Sequence, residues 1–274
     1  MLPFSVLMSV YQKEAPEHFR RALSSNLECQ TLPPTEMVLV CDGPLNPELD
    51  AVISEFSAKC PQLKVCRLAE NGGLGKALNF GLSQCSHSLV ARSDSDDVCT
   101  PERFAVQVAY LEQHPDISVV SSAIDEFDED PERPLRQKLM PEGGEALLRY
   151  AKTRNPINHM AVMFRKEDVE KAGSYQHLPY QEDYFLWVRM LSMGMKLANL
   201  PQKLVCARVG NGMAARRGEK QLISGRRVLH KYMVDHGLLT KTESFLAQAE
   251  FHLWCLVPPK FRDFIYKTIL RRQE

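Results

Sequence analysis

The sequence has no excess of charge of either sign and no long apolar run. Its 274 residues carry 34 lysines and arginines against 34 aspartates and glutamates, so no global positive field would recruit nucleic acid. No stretch reaches the roughly 20 apolar residues that a membrane-spanning helix needs, and the N-terminus lacks the basic and apolar regions of a secretory signal. These absences predict a cytoplasmic protein that does not bind nucleic acid.

Closely spaced cysteine pairs are also missing. The eight cysteines are scattered without a C-x-x-C pair, which argues against a zinc site. Several lie in stretches typical of buried strands, as expected for reduced thiols in a cytoplasmic protein. The sequence has no internal repeat, and its length with 44% hydrophobic residues predicts one large α/β domain or one and a half domains.

Apolar strands alternate with helices over the first 125 residues. Strands are predicted at residues 4–10, 37–41, 63–68, 89–93 and 117–124, with helices between them. This spacing is typical of βαβ crossovers and predicts a Rossmann-like, mostly parallel central sheet with flanking helices. Beyond about residue 131 prolines loosen the pattern, and the end of the chain is predicted to be a helical extension.

Three carboxylates follow the fourth predicted strand within four residues. Asp94, Asp96 and Asp97 repel one another, and aspartate opposes regular structure, so folding alone gives little reason for the cluster. A Mg²⁺ or Mn²⁺ ion would relieve the repulsion, because both ions favour oxygen ligands and often bridge to phosphates. The alternative is a solvated acidic turn in which Thr100 caps a helix that starts at Pro101.

Polar residues follow the other predicted strands as well. Residues 11–14, Asp42 and residues 71–76 each come after a strand, and in such sheets ligands bind beyond the carboxyl ends of the strands. We therefore expect these segments to meet the acidic turn in one site. Residues 71–76 suggest a phosphate loop but match neither the Walker motif nor the dinucleotide fingerprint. Alternatively they form a flexible connection to a helix.

The second half of the chain adds further candidates. Glu182 and Asp183 begin an apolar helix. There they either stabilise the helix by placing negative charge at the positive end of its dipole or supply a general base. His159 lies in a turn-rich segment before a strand. Arg208 and Arg216 belong to a glycine-containing stretch that suits a lid closing on phosphate, unless the side chains are simply solvated.

These motifs together resemble the family-2 inverting glycosyltransferases over about residues 4–215. Four segments occur in the family's order, followed by the pair at 182–183: residues 5–11 (Ser-Val-Leu-Met-Ser-Val-Tyr), 40–43 (Val-Cys-Asp-Gly), 71–81 (Asn-Gly-Gly-Leu-Gly-Lys-Ala-Leu-Asn-Phe-Gly) and 94–97 (Asp-Ser-Asp-Asp). Within the family the chain is most similar to bacterial enzymes of O-antigen and exopolysaccharide synthesis, including amylovoran-type galactosyltransferases. That similarity rests on residues 155–159, 163–166 and 208–218.

The resemblance implies a GT-A fold and the roles of individual residues. Asp96 would bind a divalent metal, Mn²⁺ or Mg²⁺. Asp183, with Glu182 beside it, would take a proton from the acceptor hydroxyl. The nucleotide sugar would be held by a larger set of residues: Tyr11, Glu14, Asp42, Asn71, Lys76, Arg92, Asp94 and Ser95. The acceptor or a phosphate would meet His159, Arg208 and Arg216.

The resemblance also implies substrates and regions. The donor would be UDP-galactose, or alternatively UDP-glucose, and the acceptor an N-acetylhexosamine on a polyprenyl diphosphate, giving a β-linkage. Residues 1–125 would form the nucleotide-sugar-binding half and residues 126–215 the acceptor-binding, catalytic half. Residues 216–274 would be helical. Basic and aromatic residues mix in their last part, which suits a peripheral helix on the inner face of the cytoplasmic membrane or, alternatively, a helix packed on the core.

The chain departs from the family pattern in two places. The family's common Arg-x-His is here Arg208-Val209-Gly210, which leaves metal ligands beyond Asp96 unassigned. The Gln-x-x-Arg-Trp motif of processive synthases is missing, which favours transfer of a single sugar. Two alternatives compete with this interpretation. Residues 94–98 also fit the nucleophile motif of haloacid-dehalogenase-type phosphatases, and the chain could be a non-catalytic subunit that binds sugar nucleotides.

Overall fold

The computed structural model describes residues 1–209 and 219–256, and the side chains of 219–222 and 252–256 are not among them. Within this part, nine strands share one sheet: β1 (Phe4–Val10), β2 (Glu36–Cys41), β3 (Leu63–Arg67), β4 (Leu89–Ser93), β5 (Val98–Cys99), β6 (Ile117–Phe127), β7 (Arg136–Lys138), β8 (Met163–Arg165) and β9 (Lys196–Arg208). The helices are α1 (Pro16–Leu27), α2 (Pro47–Lys59), α3 (Leu74–Gln84), α4 (Arg103–Gln113), α5 (Gly144–Ala151), α6 (Lys166–Lys171), α7 (Glu182–Ser192), α8 (Glu219–Asp235) and α9 (Lys241–Leu256).

The sheet has the strand order β3-β2-β1-β4-β8-β6-β9-β5, with β7 beside β6. Neighbours among β3, β2, β1 and β4 are parallel, and so are β6 and β9. The short strand β8 is antiparallel to both β4 and β6, which makes β6 point the same way as β4. The carboxyl ends of β1, β2, β3, β4, β6 and β9 therefore lie at one edge, and the predicted mostly parallel sheet is confirmed.

Helices cover both faces of the sheet. Val6 and Met8 of β1 belong to a buried cluster with residues of α1, α2 and α4. Leu7, between them in sequence, belongs to a second cluster with residues of α3, α5 and α7. Successive side chains of a strand point to opposite faces, and a strand covered on both sides is apolar nearly throughout. This explains why the first strand was readable from sequence as a buried run.

The start of α4 differs from the sequence prediction. Thr100 does not cap the helix, and Pro101 is not its first residue: the helix begins at Arg103 after the N-cap residue Glu102, which makes no side-chain capping bond. The reason is tertiary. Residues 98–99 pair with β9, and the Thr100 amide continues this pairing by donating to the Leu204 carbonyl. Strand pairing with a segment a hundred residues away thus overrides the local capping signal.

The last two long strands of the sheet depart from the local sequence pattern. Residues 196–208 form one strand, β9, which stays paired with β6 across an irregularity. Ser122 pairs with Leu200 and Ala123 with Lys203, so residues 201–202 are not paired with a residue of β6. An insertion of this kind accommodates Pro201, which cannot donate to a ladder. On the partner strand, β6 continues to Phe127, three residues beyond the predicted end at residue 124.

The second half of the chain extends the same sheet. β6 runs across residue 125, so strand pairing is continuous across the boundary predicted there. The predicted helical extension is present as α8 and α9, and Leu229 and Met233 of α8 pack against Tyr184 and Val188 of α7. Within residues 1–209 and 219–256, no helix combines the length and the apolarity needed to cross a bilayer. Residues 257–274 lie outside the described part.

Gly81 of α3 gives a test of this packing. A β-carbon at this position would lie 2.3 Å from Leu7 Cδ1 and 2.7 Å from Val40 Cγ2. Helix propensity alone predicts that Gly81→Ala stabilises by about 1 kcal/mol, but overpacking against two buried strands costs about 1–3 kcal/mol. We expect a net loss of unfolding free energy, measured by urea denaturation. The matched control Ser83→Ala, at an exposed site of α3, should change it by less than about 0.5 kcal/mol. A gain for Gly81→Ala would contradict the packing.

Candidate active site

The acidic turn lies at the carboxyl end of β4. Ligand oxygens of Asp94, Asp96 and Asp97 all lie within 4.8 Å of one another. The start of the turn is fixed by an ion pair. Arg92 is buried, and its guanidinium donates two hydrogen bonds to the Asp94 carboxylate. One of the three negative charges is thus paired inside the protein, and the other two must be accommodated differently.

Burial and mutual repulsion act on the other two carboxyls. Burial raises the pKa of Asp96 to about 7, with the negative charges of Asp94 and Glu14 contributing. The pKa of Asp97 is raised well above its ordinary value, again by burial first and then by Asp94 and Asp96. One Asp97 oxygen accepts the Arg208 amide at 2.7 Å, whereas Oδ2 is buried without a hydrogen-bond partner in the described part of the chain.

This donor set fits a divalent cation. Three carboxylates converge, and one of them has a buried oxygen without a partner among the described residues. Two of them have raised pKa values, because burial and neighbouring charges disfavour their ionised form. A hard cation with oxygen ligands would satisfy that oxygen and lower the cost of both charges. Asp96, the predicted metal ligand, is a member of the cluster.

Residues after β1 reach the same turn. Glu14 accepts a hydrogen bond from the Ser95 hydroxyl at 2.6 Å through one oxygen and from the Ala15 amide at 2.9 Å through the other. The Glu14 amide in turn donates to the Tyr11 carbonyl at 3.1 Å. The loop after β1 is therefore tied to the acidic turn, as the shared sheet edge predicted. Tyr11, Glu14 and Ser95 are brought together by this contact.

The loop after β2 is joined to the glycine-rich segment. The Asp42 carboxylate accepts the amides of Gly72 and Gly73 at 2.7 and 3.0 Å, and the Asn71 side chain donates to the Asp42 carbonyl at 3.1 Å. Gly43 has φ +85°, and a β-carbon there would lie 2.6 Å from the Asn71 nitrogen, so the approach requires glycine. Asp42 and Asn71 meet as predicted, with Asp42 organising the segment that starts α3.

A cleft separates the start of α3 from the start of α7. Its lining includes Gly75 and Lys76 on one side and His177, Tyr180 and Glu182 on the other. The walls are close, because a β-carbon on Gly75 would lie 3.5 Å from Glu182 Cγ. Burial raises the pKa of Glu182, and the neighbouring Asp183 adds to this effect. Lys76 and Glu182 therefore face a common cleft.

Asp183 is held at the first turn of α7. One of its oxygens accepts the side-chain amide of Asn155 at 2.6 Å. The phenol of Tyr175 is buried and is influenced both by this carboxylate and by the acidic turn. Burial raises the pKa of Tyr175, the charge of Arg92 opposes the rise, and the charges of Asp183 and Asp94 add to it. Asp183 and Asp94, 89 positions apart in the sequence, thus lie near one tyrosine.

His159 lies beneath this site. It is 9% exposed, its Nε2 is 2.8 Å from the Tyr175 hydroxyl, and its ring meets Trp187 edge-on. Burial, with the positive charge of Arg92, holds its pKa well below the usual range, so the imidazole is neutral. The structure gives His159 packing and hydrogen-bonding partners, and its contact with an acceptor stays a prediction.

Of the two arginines predicted for the site, Arg208 lies in the described part of the chain. Arg208 is at the end of β9, where its backbone amide meets Asp97 and its guanidinium bonds the Asp128 carbonyl while stacking over Phe127. Its nearness to the acidic turn is therefore set by the backbone. Arg216 lies outside the described residues.

Two side chains that frame the site were not identified from sequence. Asn79 of α3 exchanges hydrogen bonds with the Tyr175 backbone, donating at 2.7 Å and accepting at 2.8 Å. Arg103 of α4 is fully buried behind the acidic turn. The available signal for Arg103 was its spacing of four from Gln107, which puts two polar residues on a helix face that also carries Phe104 and Val108. Polar residues on a buried face need internal partners.

Comparison with known proteins identifies the family. Residues 5–170 match the profile of glycosyl transferase family 2. The chain is 42% identical over 267 residues to the amylovoran biosynthesis glycosyltransferase AmsE of Erwinia amylovora, covering 96% of this chain and 98% of that protein. It is 35% identical over 272 residues to an Escherichia coli UDP-Gal:α-D-GlcNAc-diphosphoundecaprenol β-1,3-galactosyltransferase, covering 98% and 97% of the two chains.

The fold has a counterpart among solved structures. The crystal structure of S. aureus TarS 1–349 in complex with UDP-GlcNAc superposes with a TM-score of 0.70 and 20% identity, covering 99% of this chain and 78% of that one. The predicted GT-A fold is confirmed, and the phosphatase interpretation of the acidic turn is not retained. The strand order, the site at the carboxyl edge of the sheet and these matches lead to one assignment: the chain is a glycosyltransferase of family 2.

Proposed function

We propose that the enzyme transfers galactose from UDP-galactose to an N-acetylhexosamine carried on polyprenyl diphosphate, with inversion and a β-linked product. The observation that carries this proposal is the pair of carboxylate sites near Tyr175: the acidic turn after β4 and Asp183 at the start of α7. The substrates are proposed because the E. coli relative named for this reaction is similar along almost the whole chain. UDP-glucose is the second candidate donor.

The donor is assigned to the carboxyl edge of the sheet. Tyr11, Glu14 and Asp42 would contact the uridine, with Asn71 and Lys76 beside it. Arg92, Asp94 and Ser95 would border its ribose and phosphates. Asp96, with Asp94 and Asp97 around it, would hold Mn²⁺ or Mg²⁺, and a bound cation of this kind neutralises negative charge on a departing diphosphate. The hydrogen-bonded ties of Glu14 to Ser95 and of Asp42 to the glycine segment support one preorganised donor site.

Asp183 is assigned as the general base. The Asn155 amide donates to one carboxylate oxygen and orients it, while Glu182 lies beside it at the cleft. Asp183 takes the proton of the acceptor hydroxyl as that oxygen forms a bond to the anomeric carbon. The bond from that carbon to the UDP oxygen breaks on the opposite face, and the electron pair leaves with UDP. No second carboxyl is required as an acid, because UDP departs as an anion.

The acceptor is assigned to the second half of the sheet. His159, Arg208 and Arg216 would lie near the acceptor or its phosphates. A polyprenyl acceptor also requires approach to a membrane surface. The basic and aromatic residues of 258–274, together with Phe245 and Leu246 of α9, which are 71% and 60% exposed, support peripheral attachment at the inner face of the cytoplasmic membrane.

A screen of nucleotide sugars tests the reaction. With a synthetic lipid-diphosphate N-acetylglucosamine acceptor and Mn²⁺, UDP release should be fastest from UDP-galactose, and the product should carry a β-linkage by NMR. Asp183→Asn should lower kcat about 100- to 10,000-fold, because a positioned base contributes that much, while UDP binding measured by calorimetry stays within about twofold. The matched control Glu170→Gln, on the exposed surface of α6, should keep wild-type rates.

Three outcomes of that screen would contradict parts of the proposal. Preference for UDP-glucose would replace the donor while leaving the mechanism intact. An α-linked product would exclude inversion. An Asp183→Asn enzyme with wild-type kcat would remove Asp183 as the base.

The pKa of Asp96 predicts how metal affinity depends on pH. The pKa of Asp96 is about 7 in the folded protein and is ordinarily 3.8. Between pH 3.8 and pH 7, Asp96 of the metal-free folded protein therefore holds a proton that the unfolded chain has lost. Its unfolding free energy should therefore fall as the pH rises from about 4 to 7. A cation must displace this proton, so the apparent Mn²⁺ affinity should rise by up to about tenfold per pH unit below 7 through the Asp96 carboxyl.

Electron paramagnetic resonance of free Mn²⁺ between pH 5.5 and 8 measures this dependence. Asp96→Asn should bind Mn²⁺ weakly and lose most of the slope. Affinity that is independent of pH in the wild-type protein would show that Asp96 is ionised without the metal.

Removal of residues 258–274 tests the membrane attachment. We expect the full chain to sediment with vesicles that contain phosphatidylglycerol and to bind less to neutral phosphatidylcholine vesicles. The shortened chain should lose most of this binding, because about 1 kcal/mol is gained for each basic residue near an anionic surface. A water-soluble acceptor provides the control, since its turnover should be unchanged. Equal sedimentation of the two chains would exclude the segment as the attachment.

A further inference from the structure

Arg103 is a fully buried arginine whose guanidinium hydrogen bonds all go to neutral groups among the described residues. Nε donates to the Gln107 side chain at 3.2 Å. One terminal nitrogen, Nη1, donates to the Ser93 hydroxyl at 2.8 Å and to the Cys99 sulfur at 3.0 Å. The other, Nη2, donates to the carbonyls of Arg92 at 2.5 Å and Val162 at 3.3 Å. Five acceptors on four different elements or loops thus meet one planar group.

These acceptors bracket the acidic turn. Arg92 and Ser93 are the last two residues of β4, and Cys99 is in β5, so the residues between them are the turn that carries the three carboxylates. A second set of bonds supports the same points: Ser93 donates to the Asn26 side chain at 2.8 Å, and the Cys99 amide donates to the Ser25 hydroxyl at 3.1 Å. Arg103 therefore joins the entry and the exit of the turn through one rigid group.

The chemistry of the side chain makes this connection specific. Guanidinium presents five N–H donors in a fixed plane, whereas the ammonium of lysine presents three on a flexible stem. Burying a cation among neutral acceptors is costly, so packing alone gives little reason for an arginine here. The adjacent turn supplies a reason, because a positive charge bonded to residues that flank three carboxylates opposes their mutual repulsion.

We propose that Arg103 is a positioning residue for the acidic turn: without touching substrate, it holds the chain so that the carboxylates converge on a cation and the donor diphosphate. The expected effect on cation binding rests on the proposed metal-dependent function, whereas the effect of Arg103 on the conformation of the turn does not. Residues of this kind behind metal ligands typically change metal affinity by about 10- to 100-fold when replaced.

Arg165 supplies a matched control at the opposite end of the same sheet. It too donates to backbone carbonyls, those of Ile117, Leu111 and His114. It pairs with Leu89 at the start of β4, whereas Arg103 is bonded at the end of that strand. Arg103→Lys and Arg165→Lys should therefore both lower Tm, but only the first should disturb the turn.

The experiment combines amide hydrogen exchange with Mn²⁺ titration on the full chain, at a temperature well below both Tm values. In Arg103→Lys we expect faster exchange of the Cys99 and Arg208 amides, which donate to Ser25 and Asp97, and an Mn²⁺ dissociation constant raised about tenfold or more. Arg165→Lys should leave both unchanged within about twofold. Ser93→Ala, which removes one acceptor, should give a smaller change in the same direction and provides the test if Arg103→Lys does not fold.

The readouts separate the failure of the inference from that of the function. If Arg103→Lys or Ser93→Ala lowers Tm but leaves the two amides and the Mn²⁺ affinity as in the wild type, Arg103 is only a packing residue and the inference is overturned. If the wild-type protein does not bind Mn²⁺, the proposed metal dependence is wrong, and amide exchange still decides whether Arg103 positions the turn.

Discussion

The repulsion among three carboxylates at the end of a buried strand is the constraint on which this structure depends. The fold meets it with three different contacts: Arg92 pairs with Asp94, the Arg208 amide bonds Asp97, and Arg103 holds the strand ends on either side of the turn. Asp96 and Asp97 both keep raised pKa values, which record the remaining cost of burial and repulsion. Converging carboxylates with raised pKa values are oxygen ligands of the kind that a divalent cation favours.

The architecture of the sheet brings the second carboxylate to the same place. Because β8 runs antiparallel between β4 and β6, the later strands β6 and β9 end at the edge where β4 ends. The Asn79 side chain hydrogen-bonds the Tyr175 backbone and so ties the segment before α7 to α3, and Asp183 lies in the first turn of α7. The acidic turn and Asp183 thereby come from different halves of the chain, and both act electrostatically on buried Tyr175, whose hydroxyl is hydrogen-bonded to His159.

Most secondary structure could be predicted because the first half consists of strands buried on both faces and helices with clear signals. Asn46, for example, is a residue type typical of helix caps, and its side chain accepts the Leu49 amide at 2.8 Å at the start of α2. The errors occur where a distant partner decides. Thr100 has the side chain of a helix cap, yet its amide is used by β9. The site followed the same rule: Asp94 and Asp96 were readable as a cluster, whereas the partners of Asp97 and Arg103 were not.

The sequence by itself determined the fold class, the family and the position of the acidic cluster after β4, because these depend on local hydrophobic pattern and on motifs that are contiguous in the chain. Only the tertiary structure decided which charges are paired, which Asp97 oxygen has no partner among the described residues, and which arginine lies behind the turn. The physical reason is that pKa values and hydrogen-bond partners depend on burial and on groups distant in sequence. Those become neighbours only when β9, α4 and the end of β4 have assembled.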